Sequence, residues 1–224
     1  MKTSVENQPS LRTTSELIAG QLRQAILRGE LKSHQPLRQD KLAEEMGVSK
    51  IPVREALAQL KAEGLVTYKS NRGAFVTALS AAEAHEIYLM RLALEPLALA
   101  QALPRYTPQD LAHAAHALAL LDLEGDPAGW MTRNWAFHAA LYQPAAMPHL
   151  LATLEQLHLN VGRYQVLYLD SMNAYAQSQR EHHDLLNACQ NADLAGAQTV
   201  LRNHLSKASS ALTTYLQQEE ESQS

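Results

Sequence analysis

Three of the ten histidines are spaced so that they could share one metal ion. His138 follows Asn134 by one helical turn, so their side chains lie on the same helix face. His182 and His204 flank the turn Asn191-Ala192-Asp193, which reverses the chain and lets both imidazoles lie at similar depth in a helical bundle. Three neutral imidazoles and an amide oxygen suit a divalent transition metal. Histidines on helices are more often surface or hydrogen-bonded core residues, and spacing alone leaves these alternatives open.

Helices are predicted throughout the region that holds these histidines. The segment Ser80-Ala81-Ala82-Glu83 has the pattern of a capping box, and Pro108 and Pro127 each follow a capping residue, so three helices begin at these points. Further helices are predicted over residues 147–169, 178–190 and 194–217. The region shows no alternating strand pattern. We therefore expect an antiparallel bundle of about six helices over residues 81–217, followed by a frayed tail.

Residues 42 to 57 predict a helix, a tight turn and a second helix. Gly47 takes the left-handed conformation of such a turn without steric cost. Ser49 follows at an N-cap position, where its oxygen can accept hydrogen bonds from the first amides of the next helix. Lys50 and Arg54 then point outward one turn apart, an arrangement suited to base edges and phosphates in a DNA major groove. A solvated, charged helix face is the alternative.

The flanking segments favour a winged helix-turn-helix domain. Apolar residues recur at helical spacing over residues 18–26, in a helix that Gly29 can terminate. Downstream, residues 65–68 and 74–77 are short β-prone runs joined by a hairpin tip that carries Arg72-Gly73. Such a tip can enter a minor groove or contact its phosphates, although a basic tip can also serve solubility alone.

Residues 12 to 77 resemble the DNA-binding domain of the GntR family of bacterial transcription regulators. The resemblance rests on residues 26–31, Leu42-Ala43, Gly47-Val48-Ser49, Pro52-Val53-Arg54-Glu55-Ala56-Leu57, and residues 63–66 and 72–76. The family usually has arginine and threonine where this chain has Lys50 and Ile51. Lysine is a point charge rather than a two-pronged donor, which favours a phosphate or single-acceptor contact there. The predicted DNA contacts are Arg38, Ser49, Lys50, Arg54, Arg72 and Gly73.

Residues 80 to 216 resemble the all-helical effector-binding FCD domain of the FadR subfamily, in its shorter form. The matching positions are Asn134 before Phe137-His138, Glu181-His182 and His204-Leu205. This resemblance implies a divalent transition metal, zinc or nickel, held by Asn134, His138, His182 and His204. The family has aspartate at the first of these positions. A neutral amide oxygen is a poorer donor to such an ion, so a lower metal affinity is expected.

The same resemblance implies a small carboxylic acid as effector, with its oxygens in the open positions of the metal. Candidate contacts to this acid are Arg91, Arg163 and Tyr164. Arg91 lies in an otherwise apolar helical stretch, where the alternative is an intrahelical ion pair with Glu95.

Charge is divided unevenly along the chain. Residues 1–79 hold 12 Lys plus Arg against 8 Asp plus Glu, whereas residues 80–224 hold 7 against 15. A basic first part and an acidic second part are expected if only the first meets DNA. The single cysteine, Cys189, excludes an intrachain disulfide, and no leader or transmembrane run is evident. We therefore expect a cytoplasmic protein with no membrane contact.

The sequence thus predicts a mainly α protein with a winged domain over residues 11–77, a linker over 78–80 and a helical bundle over 81–217. The expected function is that of a ligand-responsive transcription regulator, a repressor, which binds a palindromic double-stranded operator as a homodimer and is not an enzyme. Two alternatives stay open. One is a metal-dependent hydrolase that uses the histidines, and the other is an architectural DNA-binding protein without a ligand.

Overall fold

A computed structural model describes residues 13–171 and 175–222 of the chain. The first helices form the expected three-helix unit, with α1 at Thr14–Leu27, α2 at Gln39–Met46 and α3 at Lys50–Ala62. Thr13 and Glu16 make a capping box at the start of α1, which satisfies amides that have no partner within the helix. Gly47 ends α2 with a φ of 65°, a left-handed conformation that confirms the predicted turn.

Three strands complete the winged domain. Strand β2 (Val66–Lys69) pairs antiparallel with β3 (Gly73–Val76), as the two β-prone runs predicted. Strand β1 (Pro36–Leu37) pairs with the other edge of β3, and the sheet order is β1-β3-β2. The sequence did not reveal β1, because two residues are too short to show an alternating pattern.

Six α-helices follow in the described part of the chain after residue 80. They are α4 (Ala81–Ala102), α5 (Pro108–Asp122), α6 (Pro127–Tyr142), α7 (Pro148–Ser171), α8 (Tyr175–Gln190) and α9 (Leu194–Ser222). Short 3₁₀ turns follow α4 and α6. The expected frayed tail after residue 217 is wrong, because α9 continues to Ser222. There Glu220 Oε1 accepts a hydrogen bond from the Ala81 amide at 3.0 Å.

Each domain has its own apolar core, and a side chain of the bundle contributes to the core of the winged domain. Met131 of α6 packs into the winged-domain core with residues such as Leu27. The bundle core contains Cys189, and burial raises the pKa of this thiol to about 11. In the described ranges no helix is both long enough and apolar enough to cross a membrane.

Candidate metal centre and DNA-reading face

The three predicted histidines converge in the bundle. His138 lies on α6, His182 on α8 and His204 on α9, and all three are buried. One nitrogen from each lies within 4.8 Å of the others. Two imidazoles on a zinc ion hold their nitrogens about 3.4 Å apart, so small ring movements would bring the set to bonding distance.

The hydrogen bonds of His138 fix which of its nitrogens faces the cluster. The Tyr142 hydroxyl donates to Glu95 Oε2 at 2.7 Å, so its oxygen can accept from His138 Nδ1 at 3.2 Å. With the proton on Nδ1, the lone pair of His138 is on Nε2. Neither Tyr142 nor Glu95 was assigned this role from the sequence, because no spacing rule links residues 47 positions apart.

His182 and His204 are oriented in the same way. His182 Nδ1 donates to Gln179 Oε1 at 2.9 Å, and His204 Nδ1 donates to Glu181 Oε2 at 2.8 Å. In both rings the lone pair is therefore on Nε2. A carboxylate behind an imidazole also increases the basicity of a metal-binding nitrogen.

Three buried polar atoms without partners among the described residues fit a metal ion: two belong to the clustered rings, and the third lies on α6 one helical turn before His138. Asn134 Oδ1, His138 Nε2 and His182 Nε2 are buried, and none has a hydrogen-bond partner among the described residues. Buried polar atoms are normally satisfied, so an orphaned oxygen and two orphaned imidazole nitrogens require an explanation. Lone pairs on these atom types are the donors that zinc and nickel accept.

Burial keeps two of the three rings neutral at ordinary pH. Desolvation lowers the pKa of His138 well below its usual value, despite the opposing effect of Glu95. Desolvation and then the neighbouring His204 lower the pKa of His182 in the same way. Because these two rings are uncharged, their lone pairs are available without prior loss of a proton.

A second buried group adjoins the histidines. Arg91 Nε donates to Glu95 Oε1 at 2.6 Å, and the arginine Nη2 lies 3.0 Å from His158 Nε2. Burial opposes the charge of Glu95, but Arg91 and then His158 hold the pKa of this carboxyl well below its usual range. The intrahelical pair that the sequence offered as an alternative is therefore present. Arg91 Nη1, however, is buried and has no partner among the described residues.

Tyr164 lies elsewhere than expected. Its hydroxyl accepts from the Leu79 amide at 2.7 Å and lies 3.3 Å from Ser33 Oγ, at the junction between the two domains. It lines an interdomain cavity of about 580 Å³ whose lining includes none of the three clustered histidines. The Tyr164 hydroxyl is therefore engaged at the linker and not at the histidine cluster, and a contact between Tyr164 and an acid stays a prediction. Arg163 is on α7, and its side chain lies outside the described part of the structure.

The predicted DNA contacts are all exposed residues of the winged domain. Lys50 and Arg54 are exposed on the first turns of α3, and Lys50 Nζ pairs with Asp40 Oδ1 at 2.6 Å. Ser49 occupies the N-cap position, but its side chain makes no capping hydrogen bond. The usual donor would be the third helical amide, and Pro52 at that position has no N–H. The remaining predicted contacts, Arg38, Arg72 and Gly73, are also exposed.

The C-terminal end of α3 contacts the bundle through α7. Gln156 Nε2 donates to the Glu63 carbonyl at 2.7 Å and to Asn160 Oδ1 at 3.0 Å. Glu63 also accepts two hydrogen bonds from Arg23 of α1, at 2.6 and 2.7 Å. The helix that carries Arg54 is thus tied both to its own domain and to the bundle. No pattern in the sequence indicated this contact.

Two matches to known families cover most of the chain. Residues 14–76 match the gntR family of bacterial regulatory proteins. Residues 86–207 match the FCD domain. The chain belongs to the GntR family. Its helical bundle is an FCD domain, so the family and the fold predicted from sequence are both confirmed.

Relatives of this GntR-family chain are regulators. It is 30% identical over 191 residues to the transcriptional regulator McbR of Escherichia coli, covering 82% of this chain and 86% of that protein. It is 29% identical over 195 residues to the E. coli transcriptional repressor GlaR, with 82% and 89% covered. The solved structure of E. coli McbR/YncC has a TM-score of 0.76 at 27% identity, covering 92% of this chain and 99% of that one. The chain is therefore a transcription regulator rather than an enzyme.

Proposed function

We propose that this regulator is a repressor whose operator affinity is set by a small carboxylic acid, bound in the FCD domain with the help of a divalent metal. One observation carries the proposal. Among the described residues, His138 Nε2 and His182 Nε2 of the histidine cluster are buried without partners, as is Asn134 Oδ1 one helical turn before His138, although buried polar groups are normally paired. A metal ion would satisfy all of them.

In this proposal Asn134, His138, His182 and His204 hold the ion, which is zinc or nickel. When bound, the ion supplies positive charge and open positions for carboxylate oxygens. The residues of the chain orient the donors, because Tyr142, Gln179 and Glu181 each engage an Nδ1 atom. Burial excludes water from the cluster and so strengthens electrostatic contacts there.

Arg91 is the second proposed contact to the acid. Its Nη1 atom is buried and lacks a partner among the described residues, so the pair with Glu95 leaves one donor unused. A carboxylate oxygen near this atom would accept a charge-assisted hydrogen bond. Arg163 is retained as a further candidate on the strength of the family resemblance alone.

The proposed DNA-binding form is a homodimer in the bacterial cytoplasm, with winged domains (residues 11–77) on two half-sites of a palindromic operator. Helix-turn-helix dimers place their reading helices about one DNA turn apart, so a small change of domain orientation alters the fit. Residues 78–80 act as the linker to the bundle. Arg38, Ser49, Lys50, Arg54, Arg72 and Gly73 contact the DNA.

Helix α7 is the proposed route from the effector site to the DNA. Its His158 lies 3.2 Å from Glu95 beside the cluster, and its Tyr164 holds the linker at Leu79. Its Gln156 binds the end of the reading helix at Glu63. A ligand that shifts α7 therefore acts on both attachments of the winged domain. Coupling requires that the acid bind the two domain arrangements with different affinities.

The test begins with the operator. Footprinting on DNA around the gene of this protein locates the site, and its affinity is then measured with zinc and a panel of mono- and dicarboxylic acids. At least one acid should reduce operator affinity, by roughly 5- to 150-fold. The matched variant His182→Ala should bind the operator normally but respond to no acid. Operator binding that no acid alters would instead support an architectural protein without a ligand.

A further inference from the structure

The four proposed metal donors carry no negative charge. His138, His182 and His204 donate neutral imidazole nitrogens, and Asn134 donates a neutral amide oxygen. A divalent ion bound to them would keep both of its positive charges inside a buried site. Burying uncompensated charge is strongly unfavourable.

The acidic groups that face the cluster are already engaged by cations. Glu95 is paired with Arg91 at 2.6 Å, and both side chains are buried. Glu181 is paired with Lys207 at 2.6 Å and accepts from His204 at 2.8 Å. Among the described residues around the histidines, these two carboxylates are thus balanced by Arg91 and Lys207. Within the described ranges, the cluster therefore has no unpaired negative charge to offer an incoming ion.

We propose that this site takes up a divalent metal and a small carboxylate together, and binds either one alone only weakly. The carboxylate supplies the charge that Asn134 does not, and the ion supplies the acid's main contact. The inference rests on the proposed function and adds that the metal and the acid each need the other for tight binding. Because coupling between two ligands is reciprocal, the acid raises metal affinity by the same factor as the metal raises acid affinity.

One regulatory consequence follows from this dependence. The repressor reports the joint presence of metal and acid rather than the acid alone. When metal is limiting, the acid alone does not release the repressor from the operator. When metal is ample but the acid is absent, the metal site stays largely empty. A site with a carboxylate among its own donors would instead hold the ion permanently, and the repressor would then respond only to the acid.

The test is a metal titration of the full chain, stripped of metal with a chelator and checked for retained helicity by circular dichroism. Zinc affinity is measured by calorimetry in a buffer whose anions coordinate weakly, alone and with acetate, pyruvate, benzoate or succinate. At least one of these acids should raise zinc affinity by roughly 5- to 150-fold. The Asn134→Asp variant should bind zinc more tightly than the natural chain without any acid, and its gain on adding acid should be smaller.

The control variant is Asn191→Asp, which makes the same charge change at an exposed turn and should leave both zinc affinities unchanged. Tight zinc binding by the natural chain without acid, with no gain in Asn134→Asp, overturns the inference and leaves the metal site of the proposed function standing. No zinc binding by either chain under any condition overturns the inference and the metal site together. The operator assay remains a separate test of regulation.

Discussion

At the scale of single residues, the groups that engage the Nδ1 atoms of the histidines matter to a metal site as much as the histidines do. Glu181 accepts from His204 Nδ1, and its pKa falls to about 2 although partial burial opposes this, because His204, Gln177 and Lys207 all donate to it. The carboxylate is therefore ionised at neutral pH. It fixes the His204 tautomer that leaves Nε2 free for a metal.

Replacing Glu181 by glutamine tests this role. The variant loses the charged acceptor behind His204, and zinc affinity should fall by roughly 10- to 100-fold, as is usual for groups behind a metal ligand. Calorimetry in the presence of an effective acid gives the measurement. Asp184→Asn, an exposed position on the same helix, should leave zinc affinity unchanged. Equal affinities in all three proteins would show that Glu181 does not support the site.

Arg54→Ala tests the DNA-reading face. Arg54 is exposed, so its loss should leave the melting temperature nearly unchanged while specific operator binding weakens by about 1 to 3 kcal/mol per lost bidentate contact. Competition with unrelated DNA separates specific from general affinity. The matched control is Lys61→Ala, which removes the same charge from an exposed position in the last turn of the same helix. An Arg54→Ala protein that keeps full operator preference would contradict the assignment of α3.

Helical spacing was enough to predict the exposed cations of α3, because their placement depends on local geometry that the sequence encodes directly. The histidine set was implied by the family resemblance, since spacing along separate helices does not show that their side chains converge. The groups that hydrogen-bond the histidines could not be predicted, since Tyr142 and Glu95 come from different helices and meet only after packing. The contact of Tyr164 with the linker could not be predicted either, because its hydroxyl meets the Leu79 amide 85 positions away in the sequence. Ser49 makes no capping hydrogen bond because Pro52 has no N–H to donate, and this conflict is visible in the sequence.

At the scale of elements, α7 and the end of α3 meet at a glycine. Gly64 has a φ of 75°, and a Cβ there would lie 2.5 Å from Asn160 Oδ1 on α7. Two features therefore favour glycine at this position: the left-handed backbone conformation and the close approach of α7. The family motif at this position is visible in the sequence, but the neighbouring helix is not.

Gly64→Ala and Gly29→Ala form a matched pair for this contact. Both glycines have left-handed φ values, 75° and 70°, but only Gly64 faces another side chain. Each alanine should cost about 1 kcal/mol or more from backbone strain. Gly64→Ala should cost more than Gly29→Ala in urea unfolding and should also weaken the acid response at the operator. Equal effects of the two substitutions would remove α7 from the proposed signalling route.

At the scale of the whole molecule, the two domains share packing as well as a linker. Met131 on α6 lies in the winged-domain core, only three residues before Asn134 on the same helix. Helix α6 therefore connects the candidate metal centre to the packing of the DNA-binding domain. The separate apolar cores could be predicted from the two periodic regions, but a side chain that crosses between them could not.

Joint ligand binding should stabilise the molecule as a whole. Zinc with an effective acid, present at about 100 times the apparent dissociation constant, adds about 2.7 kcal/mol, which corresponds to a rise in Tm of roughly 5 to 11 °C for a chain of this size. Differential scanning calorimetry gives the measurement. His182→Ala should show no rise. An increase of the same size in that variant would mean that the ligands bind elsewhere.

The burial of Cys189 makes the protein convenient for optical experiments. The only native thiol is sealed in the core and has a pKa of about 11, so it resists maleimide reagents near neutral pH. Cysteines introduced at exposed Ser70 in the wing and Leu123 after α5 can then be labelled without removing Cys189. Energy transfer between dyes at these two positions would report the distance from the wing to the bundle in single molecules, while metal and acid are added or removed.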